Sequence, residues 1–252
     1  MEVRTSMTVT VQLGDGVEGL RSLPPGSVSL VLTDLPSGGT RAEFDERVDL
    51  SRFWLAVWQA LRPDGWAVVM ASSFDFAAEV RTGQGEWFRR ELVWSKSTAT
   101  GFFNVKRAPL RAHEYVLLFS RRLGTYHPQM VLGRSPVHAC RRVLHSENYG
   151  PLTKVTRSRA GATDRYPTSV LEFASVGTSS PLRVHPQQKP VPLLRWLVRS
   201  YSDPGDLVVD PCAGSGSTGE AALAEGRSFL GWDKSPRFGR LVGVELDVRG
   251  GS

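Results

Sequence analysis

A chain of 252 residues, 40% hydrophobic and 22% charged, has the length for one large domain carrying an insertion and enough apolar content for a sizeable core. No apolar run is long enough to cross a bilayer and no signal peptide is recognisable, so the expectation is a soluble, cytoplasmic protein without a membrane partner. The net charge of +6 is compatible with a polyanionic partner. Two cysteines, Cys140 and Cys212, are too far apart in sequence to suggest a disulfide framework. His138, Cys140 and His145 lie close together but lack a second Cys pair, so they read as loop residues and no metal site is expected. The charge is unevenly placed. Residues 104–166 hold twelve Lys and Arg against three acids, a local +9 in a chain whose total is +6. Such a concentration is expected of a nucleic-acid contact surface.

In chain order, residues 8–13 (TVTVQL) alternate and predict a first strand, turned by Gly14-Asp15-Gly16 into a helix over 17–23 that Pro24-Pro25-Gly26 stops. Residues 28–33 (VSLVLT) are a continuous apolar run of the kind that forms a buried parallel strand, and they lead straight into Asp34-Leu35-Pro36-Ser37-Gly38. A carboxylate at the carboxyl end of such a strand faces the crevice where open α/β sheets bind ligands. A helix follows over 50–61, ended by Pro63-Asp64-Gly65, then a strand at 66–71 and a helix from 74 to 80. Residues 87–94 and 115–120 predict two more strands, joined by a Gly/aromatic/basic loop. From 121 to 185 the period is mostly lost, and an irregular stretch of that length is usually functional or a small subdomain. A helix over 190–201 comes next, broken by Pro204-Gly205.

Residues 207–223 (LVVDPCAGSGSTGEAAL) then read as a strand, a Gly-rich turn and a helix, the arrangement that opens backbone N–H groups to a ligand. Gly214, Gly216 and Gly219 fit a G-x-G-x-x-G spacing, and a strand at 229–232 delivers Asp233 where a ribose-binding acid is expected. The motif lacks a Gly-Lys-Ser/Thr ending, which argues against a P-loop. On spacing alone the ligand could be a dinucleotide or another adenosine cofactor.

Taken together, these motifs resemble the S-adenosylmethionine-dependent amino-group DNA methyltransferases, N6-adenine or N4-cytosine, of the permuted class whose catalytic motif precedes the cofactor motif. Asp34 to Gly38 resembles D-P-P-Y-G. Residues 94–119 resemble the strand pair that follows. His185-Pro186-Gln187-Gln188-Lys189-Pro190 resembles H-P-T-Q-K-P, Asp210 to Gly216 resembles D-P-F-A-G-S-G, and Gly231-Trp232-Asp233 matches the acidic end of the next strand. The resemblance spans nearly the whole chain. It implies a Rossmann-like α/β fold, a mixed and mainly parallel sheet flanked by helices. It also implies a catalytic half at 1–120, an inserted irregular target-recognition region at 121–184, and a cofactor half at 185–252.

The implied cofactor is S-adenosylmethionine, the partner double-stranded DNA, and the setting DNA modification in a bacterium or its phage, as in restriction-modification. Asp34, Leu35 (by its carbonyl), Pro36 and Ser37 would form the catalytic motif around a flipped adenine. Lys189, Asp210, Pro211, Cys212, Gly214, Ser215, Gly216 and Asp233 would line the cofactor pocket. Lys106, Arg107, Arg111, Arg121, Arg122, Arg141, Arg142, Lys154, Arg157 and Arg159 would contact DNA. Two departures matter. Ser37 stands where the family carries an aromatic that stacks on the flipped base, so Phe44, Trp94, Phe102 or Phe103 would have to supply that platform; Cys212 replaces another aromatic. An N4-cytosine target, or a lapsed enzyme that binds DNA or cofactor, are the alternatives.

Overall fold

The computed structural model describes residues 8–39, 45–138, 141–144, 154–157, 159–177, 183, 185 and 187–235. The chain divides into two compact units, one made of residues 1–127 and 169–252 and the other of residues 128–168.

The larger unit is built on an eight-stranded sheet. Its elements are β1 (Val9–Leu13), α1 (Gly16–Ser22), β2 (Val28–Asp34), α2 (Leu50–Ala60), β3 (Leu61–Ala71), α3 (Phe74–Arg81), β4 (Phe88–Thr100) and β5 (Arg111–Phe119), then β8 (Val170–Phe173), α4 (Val191–Tyr201), β9 (Leu207–Asp210), α5 (Ser217–Ala224) and β10 (Ser228–Asp233). The strand order is β1-β10-β9-β2-β3-β5-β4-β8. Every neighbouring pair is parallel except the two made by β5, which runs against β3 and β4.

Alternation along the central strand explains the layers. Leu30 and Leu32 of β2 join a core with Leu193, Leu194 and Leu197 of α4 and Ala221 and Ala222 of α5. Val31 joins the core on the other face, with Leu20 of α1, Phe53 and Val57 of α2, and Phe76 and Val80 of α3, and Val28 joins that same core across the irregularity that separates it from Leu30. Successive side chains of a strand point to opposite faces, so an all-apolar strand must be covered twice. Helix starts follow from local chemistry: Asp15 and Asp49 accept hydrogen bonds from the first free N–H groups of α1 and α2, and Ser73 does so for α3.

Four strands differ from the sequence reading. β3 begins at Leu61, because Leu61 pairs with Val28 before Pro63-Asp64-Gly65 loops out as an irregularity and pairing resumes at Leu30 and Trp66. β4 and β5 are longer than 87–94 and 115–120, since their polar ends carry no apolar alternation yet pair through Trp94↔Glu114 and Ser95↔His113. Within the irregular stretch, β8 adds a short strand to the sheet edge, with Leu171 buried and paired to Trp94.

The smaller unit contains β6 (Arg141–Leu144) and β7 (Lys154–Arg157), an antiparallel pair. A further antiparallel bridge joins Val131 and Arg165, and Arg159 forms an ion pair with Asp164 at 3.0 Å.

Candidate active site

Two adjacent strands of the sheet, β9 and β2, send their connections in opposite directions: β9 leads through α5 to β10 on one side, β2 through α2 to β3 on the other. This is a topological switch point, where open α/β sheets form their ligand crevice at the carboxyl ends of the strands. Asp210 and Asp34 are the last residues of those two strands, and Asp233 is the last of β10. A cavity of about 680 Å³ opens there, lined among others by Asp34, Lys189, Asp210, Gly214 and Asp233. That volume lies in the usual range for small-molecule sites.

On the cofactor-motif side the acids first hold the loop. Asp210, 2% exposed, accepts from Cys212 N at 3.0 Å and from Thr218 Oγ1 at 2.8 Å. Its burial pushes the carboxyl up to about 6, against the pull of the Thr218 hydroxyl. Asp233 accepts from Gly214 N at 2.9 Å and Ser235 N at 2.7 Å, which draws the Gly-rich turn against the end of β10. Gly214 and Gly216 have φ of +49° and +77°, and Gly216 caps α5 in the left-handed region that favours glycine. The third glycine of the spacing serves packing, because a Cβ on Gly219 would lie 2.8 Å from the Phe229 ring. Pro211, Cys212 and Ser215 also line the cavity; Gly216 shapes the turn without lining it. Burial raises the Cys212 thiol well above its ordinary range, which keeps it neutral.

On the catalytic-motif side, Asp34 and Pro36 line the cavity, whereas the Leu35 side chain is buried in the core beneath α1–α3. Ser37 turns onto its own loop, its Oγ accepting from Gly39 N at 3.3 Å. Buried Asp45 holds the same loop by accepting from Gly38 N at 3.0 Å. Burial raises the pKa of Asp34, while the Lys189 ammonium, in direct contact with Oδ2, opposes that rise. Lys189 also lies 3.4 Å from Glu114, and Lys96 lies 3.2 Å from the same carboxylate. Burial disfavours the charged form of Lys189, but the two carboxylates outweigh it and raise its pKa.

Several residues reach the cavity without having been singled out as site residues. Asp15 and Gly16 enter from the start of α1, and a Cβ on Gly16 would stand 1.8 Å from the Pro211 carbonyl oxygen. His185 lines the cavity with its Nδ1 accepting from Gln187 N at 3.1 Å, and burial lowers its pKa. Glu114, which meets Lys189 but is not among the residues lining the cavity, escaped because the apolar run of β5 starts at Tyr115, one residue later. A charged residue immediately before a buried strand was the available signal.

Within the larger unit the basic residues do not gather in one place. Lys106 and Arg107 are exposed on the β4–β5 connection, and Arg111 donates to the Ser72 carbonyl just beyond β3, at the Asp34 end of the sheet. Arg121 and Arg122 follow β5 and therefore emerge at the other end. Arg121 lies 5.3 Å from the Trp58 and Trp87 ring centroids, and Arg122 N donates to the Pro63 carbonyl. Arg159 is exposed in the smaller unit; Arg141, Arg142, Lys154 and Arg157 lie on strands of which only the backbone is described. Among the candidate stacking platforms, Trp94 is ruled out: it is 3% exposed and its indole donates to the Phe173 carbonyl. Phe102 and Phe103 are exposed on the β4–β5 connection, while Phe44, Cys140 and His145 lie outside the described residues. Among the described residues, no cluster of His, Cys, Asp or Glu could hold a metal ion and no helix is long and apolar enough to cross a membrane.

A mixed, mainly parallel sheet with an acid at the switch point and a glycine-rich turn on the neighbouring strand defines a Rossmann-like methyltransferase fold. The N6_N4_Mtase family model, described as DNA methylase, matches residues 28–242, and the chain belongs to that family, whose members are S-adenosylmethionine-dependent amino-methyltransferases. The Type II methyltransferase M1.MboII of Moraxella bovis is 27% identical over 228 residues, covering 84% of this chain and 86% of that protein. The DNA adenine methyltransferase YhdJ of Escherichia coli (strain K12) is 24% identical over 253 residues, covering 95% and 83%. Among solved structures, the PvuII DNA methyltransferase (cytosine-N4-specific) matches with a TM-score of 0.64 at 20% identity, covering 93% of this chain and 84% of that one. The complex of M1.HpyAVI with S-adenosylmethionine matches with a TM-score of 0.59 at 17% identity, covering 92% and 95%.

Proposed function

We propose that this DNA methyltransferase moves a methyl group from S-adenosylmethionine to the exocyclic amine of an adenine flipped out of duplex DNA. The observation that carries the reading is Asp34, held at the switch point on the wall of the cavity shared with Asp210, Asp233 and the Gly-rich turn. An acid, rather than a hydroxyl, at the start of the catalytic motif is the feature that favours adenine over cytosine.

The donor set fits the cofactor. Asp233 still has acceptor capacity for ribose hydroxyls after its two backbone bonds, since each carboxylate oxygen offers two lone-pair sites. Gly214 lines the cavity, and a Cβ there would meet nothing closer than the Cys212 carbonyl oxygen at 3.8 Å; without one, backbone can approach a bound ligand closely. When bound, S-adenosylmethionine supplies an electrophilic methyl on a sulfonium. Transfer would form the N–C bond as the C–S bond breaks, leaving the donor sulfur in a neutral thioether, and Asp34 or solvent would take the surplus proton from the nitrogen. Asp34 accepts one N–H of the amine and the Leu35 carbonyl the other, which aims the nitrogen lone pair and stabilises its developing positive charge. Removing the target base from the duplex costs a few kcal/mol. In this reading residues 1–120 and 185–252 form the two halves of the catalytic domain. Residues 121–184 read the target sequence.

The test is transfer of a labelled methyl group to unmodified duplex DNA, followed by nucleoside mass analysis, for the wild type and Asp34→Ala. N6-methyladenine is expected, with a loss of roughly 100-fold or more in the variant, the scale of removing one transition-state contact. N4-methylcytosine would overturn the adenine assignment. Undiminished transfer by Asp34→Ala would overturn the role of Asp34, and cofactor binding without any product would mark a lapsed enzyme.

A further inference from the structure

We propose that Glu114 is a positioning residue of the methyl-transfer site, receiving the Lys189 ammonium when the target amine takes its place on Asp34. The inference rests on the methyltransferase reading above and assigns a role within that site.

Four side chains alternate in charge across it: Lys96 from β4, Glu114 from β5, Lys189 from the turn before α4, and Asp34 from β2. Lys96, Glu114 and Lys189 have side chains only 7%, 12% and 11% exposed, while Asp34, at 27%, faces the cavity. The difficulty for catalysis is that one oxygen of the carboxylate meant for the amine, Oδ2, is already held by Lys189. Displacing that ammonium into an apolar wall would leave a buried charge without a partner, one of the more costly changes a protein interior can undergo.

Glu114 removes the difficulty. Its Oε2 is buried and makes no hydrogen bond, yet stands 3.4 Å from Lys189 Nζ. A movement on the order of half an ångström brings the ammonium into hydrogen-bond range of that oxygen. Lys96 meanwhile holds Oε1 at 3.2 Å and keeps the carboxylate facing Lys189. Lys189 thus has two acceptors and needs only one at a time. Without a bound base it neutralises Asp34; with the amine seated it moves onto Glu114. The move also takes a positive charge away from a nitrogen that becomes positive as the N–C bond forms.

The test uses the full chain, unmethylated duplex DNA of mixed sequence and labelled S-adenosylmethionine. Glu114→Gln is expected to slow single-turnover transfer at least tenfold, with dissociation constants for S-adenosylmethionine and DNA within twofold of wild type. Because Glu114 acts through Lys189, Glu114→Gln/Lys189→Met should be no slower than Lys189→Met alone. Unchanged transfer by Glu114→Gln, or losses that multiply in the double variant, would overturn the assignment. Should Glu114→Gln fail to fold, Glu114→Asp decides: it keeps the charge and draws the acceptor back by one methylene, and a wild-type rate in it overturns the role. A wild type that transfers no methyl to DNA brings down the methyltransferase reading and this assignment with it; an active wild type with indifferent Glu114 variants removes only the assignment.

Discussion

Asp210 is an acid only 2% exposed to water, and its job is local. It ties the Cys212 N–H and the Thr218 hydroxyl into one loop, and burial raises its pKa from 3.8 to about 6. A group whose folded pKa lies above its unfolded value favours folding most when protonated. Its contribution is complete below about pH 4 and is lost as pH rises through about 6. Asp210→Asn is neutral in both states and lacks this loss. Thermal unfolding of the cofactor-free protein should therefore show the variant gaining on the wild type by on the order of 2–3 kcal/mol between pH 4 and pH 7. That figure follows from about 1.36 kcal/mol for every tenfold difference in acidity between the folded and unfolded carboxyl. A constant difference between the two proteins across that range would show that Asp210 is ionised in the fold at an ordinary pKa. The same variant should bind S-adenosylmethionine less tightly if the carboxylate faces the sulfonium side of the cavity.

At the scale of elements, the site depends on how closely α1 and the Gly-rich turn approach. Gly16 opens α1 with a Cβ position 1.8 Å from the Pro211 carbonyl oxygen, and Gly19, one turn on, would place a Cβ 2.2 Å from the Trp232 ring. Neither backbone oxygen nor buried indole can step aside without moving β9 or β10. Gly16→Ala is expected to cost about 1–3 kcal/mol, the range of overpacked sites, and to weaken S-adenosylmethionine binding. Gly85→Ala, with open space where its Cβ would stand, is the matched control and should leave both unchanged. Equal melting temperatures for Gly16→Ala and wild type would show that the close approach relaxes freely. These contacts also show where sequence reading stops. The central strands were legible because β2 and β9 are buried on both faces and so are continuously apolar, and their terminal acids are marked by the Pro and Gly that follow. Asp34, Pro36, Asp210, Gly214 and Asp233 were brought together as their motifs implied. Glu114 and the bond between Asp34 and Lys189 were not legible. The bond joins residues 155 positions apart, and Glu114 sits on a polar strand end that carries no hydrophobic period. The indole of Trp94 was misjudged as a platform because an aromatic in a strand reads alike whether it faces a ligand or the core.

At the scale of the whole molecule, a net charge of +6 predicts salt-sensitive DNA binding, and the basic residues singled out in the larger unit stand at both ends of its sheet. β5 runs against β3, so its first residue, Arg111, lies at the Asp34 end, and the residues beyond its last, Arg121 and Arg122, lie at the other. On the proposed reading, DNA presenting a base to Asp34 would approach the end of the sheet that carries the β4–β5 connection, with Lys106, Arg107 and exposed Phe102 and Phe103, and Arg111. Arg121 instead lies over the Trp58 and Trp87 rings, a contact worth about 0.5–1 kcal/mol at an exposed site. The expectation is therefore asymmetric. Measured by fluorescence anisotropy between 50 and 200 mM salt (roughly the interval over which phosphate contacts dominate), Lys106→Ala/Arg107→Ala should weaken binding. It should also flatten the log–log salt slope by about 2, since each phosphate neutralised by a cation contributes about 0.9. Arg121→Ala/Arg122→Ala should leave the slope unchanged and lower the melting temperature instead. If the two double variants flatten the slope equally, DNA reaches both ends of the sheet and the assignment of the contact face to the Asp34 end is wrong; a flat slope in the wild type would remove the electrostatic account altogether.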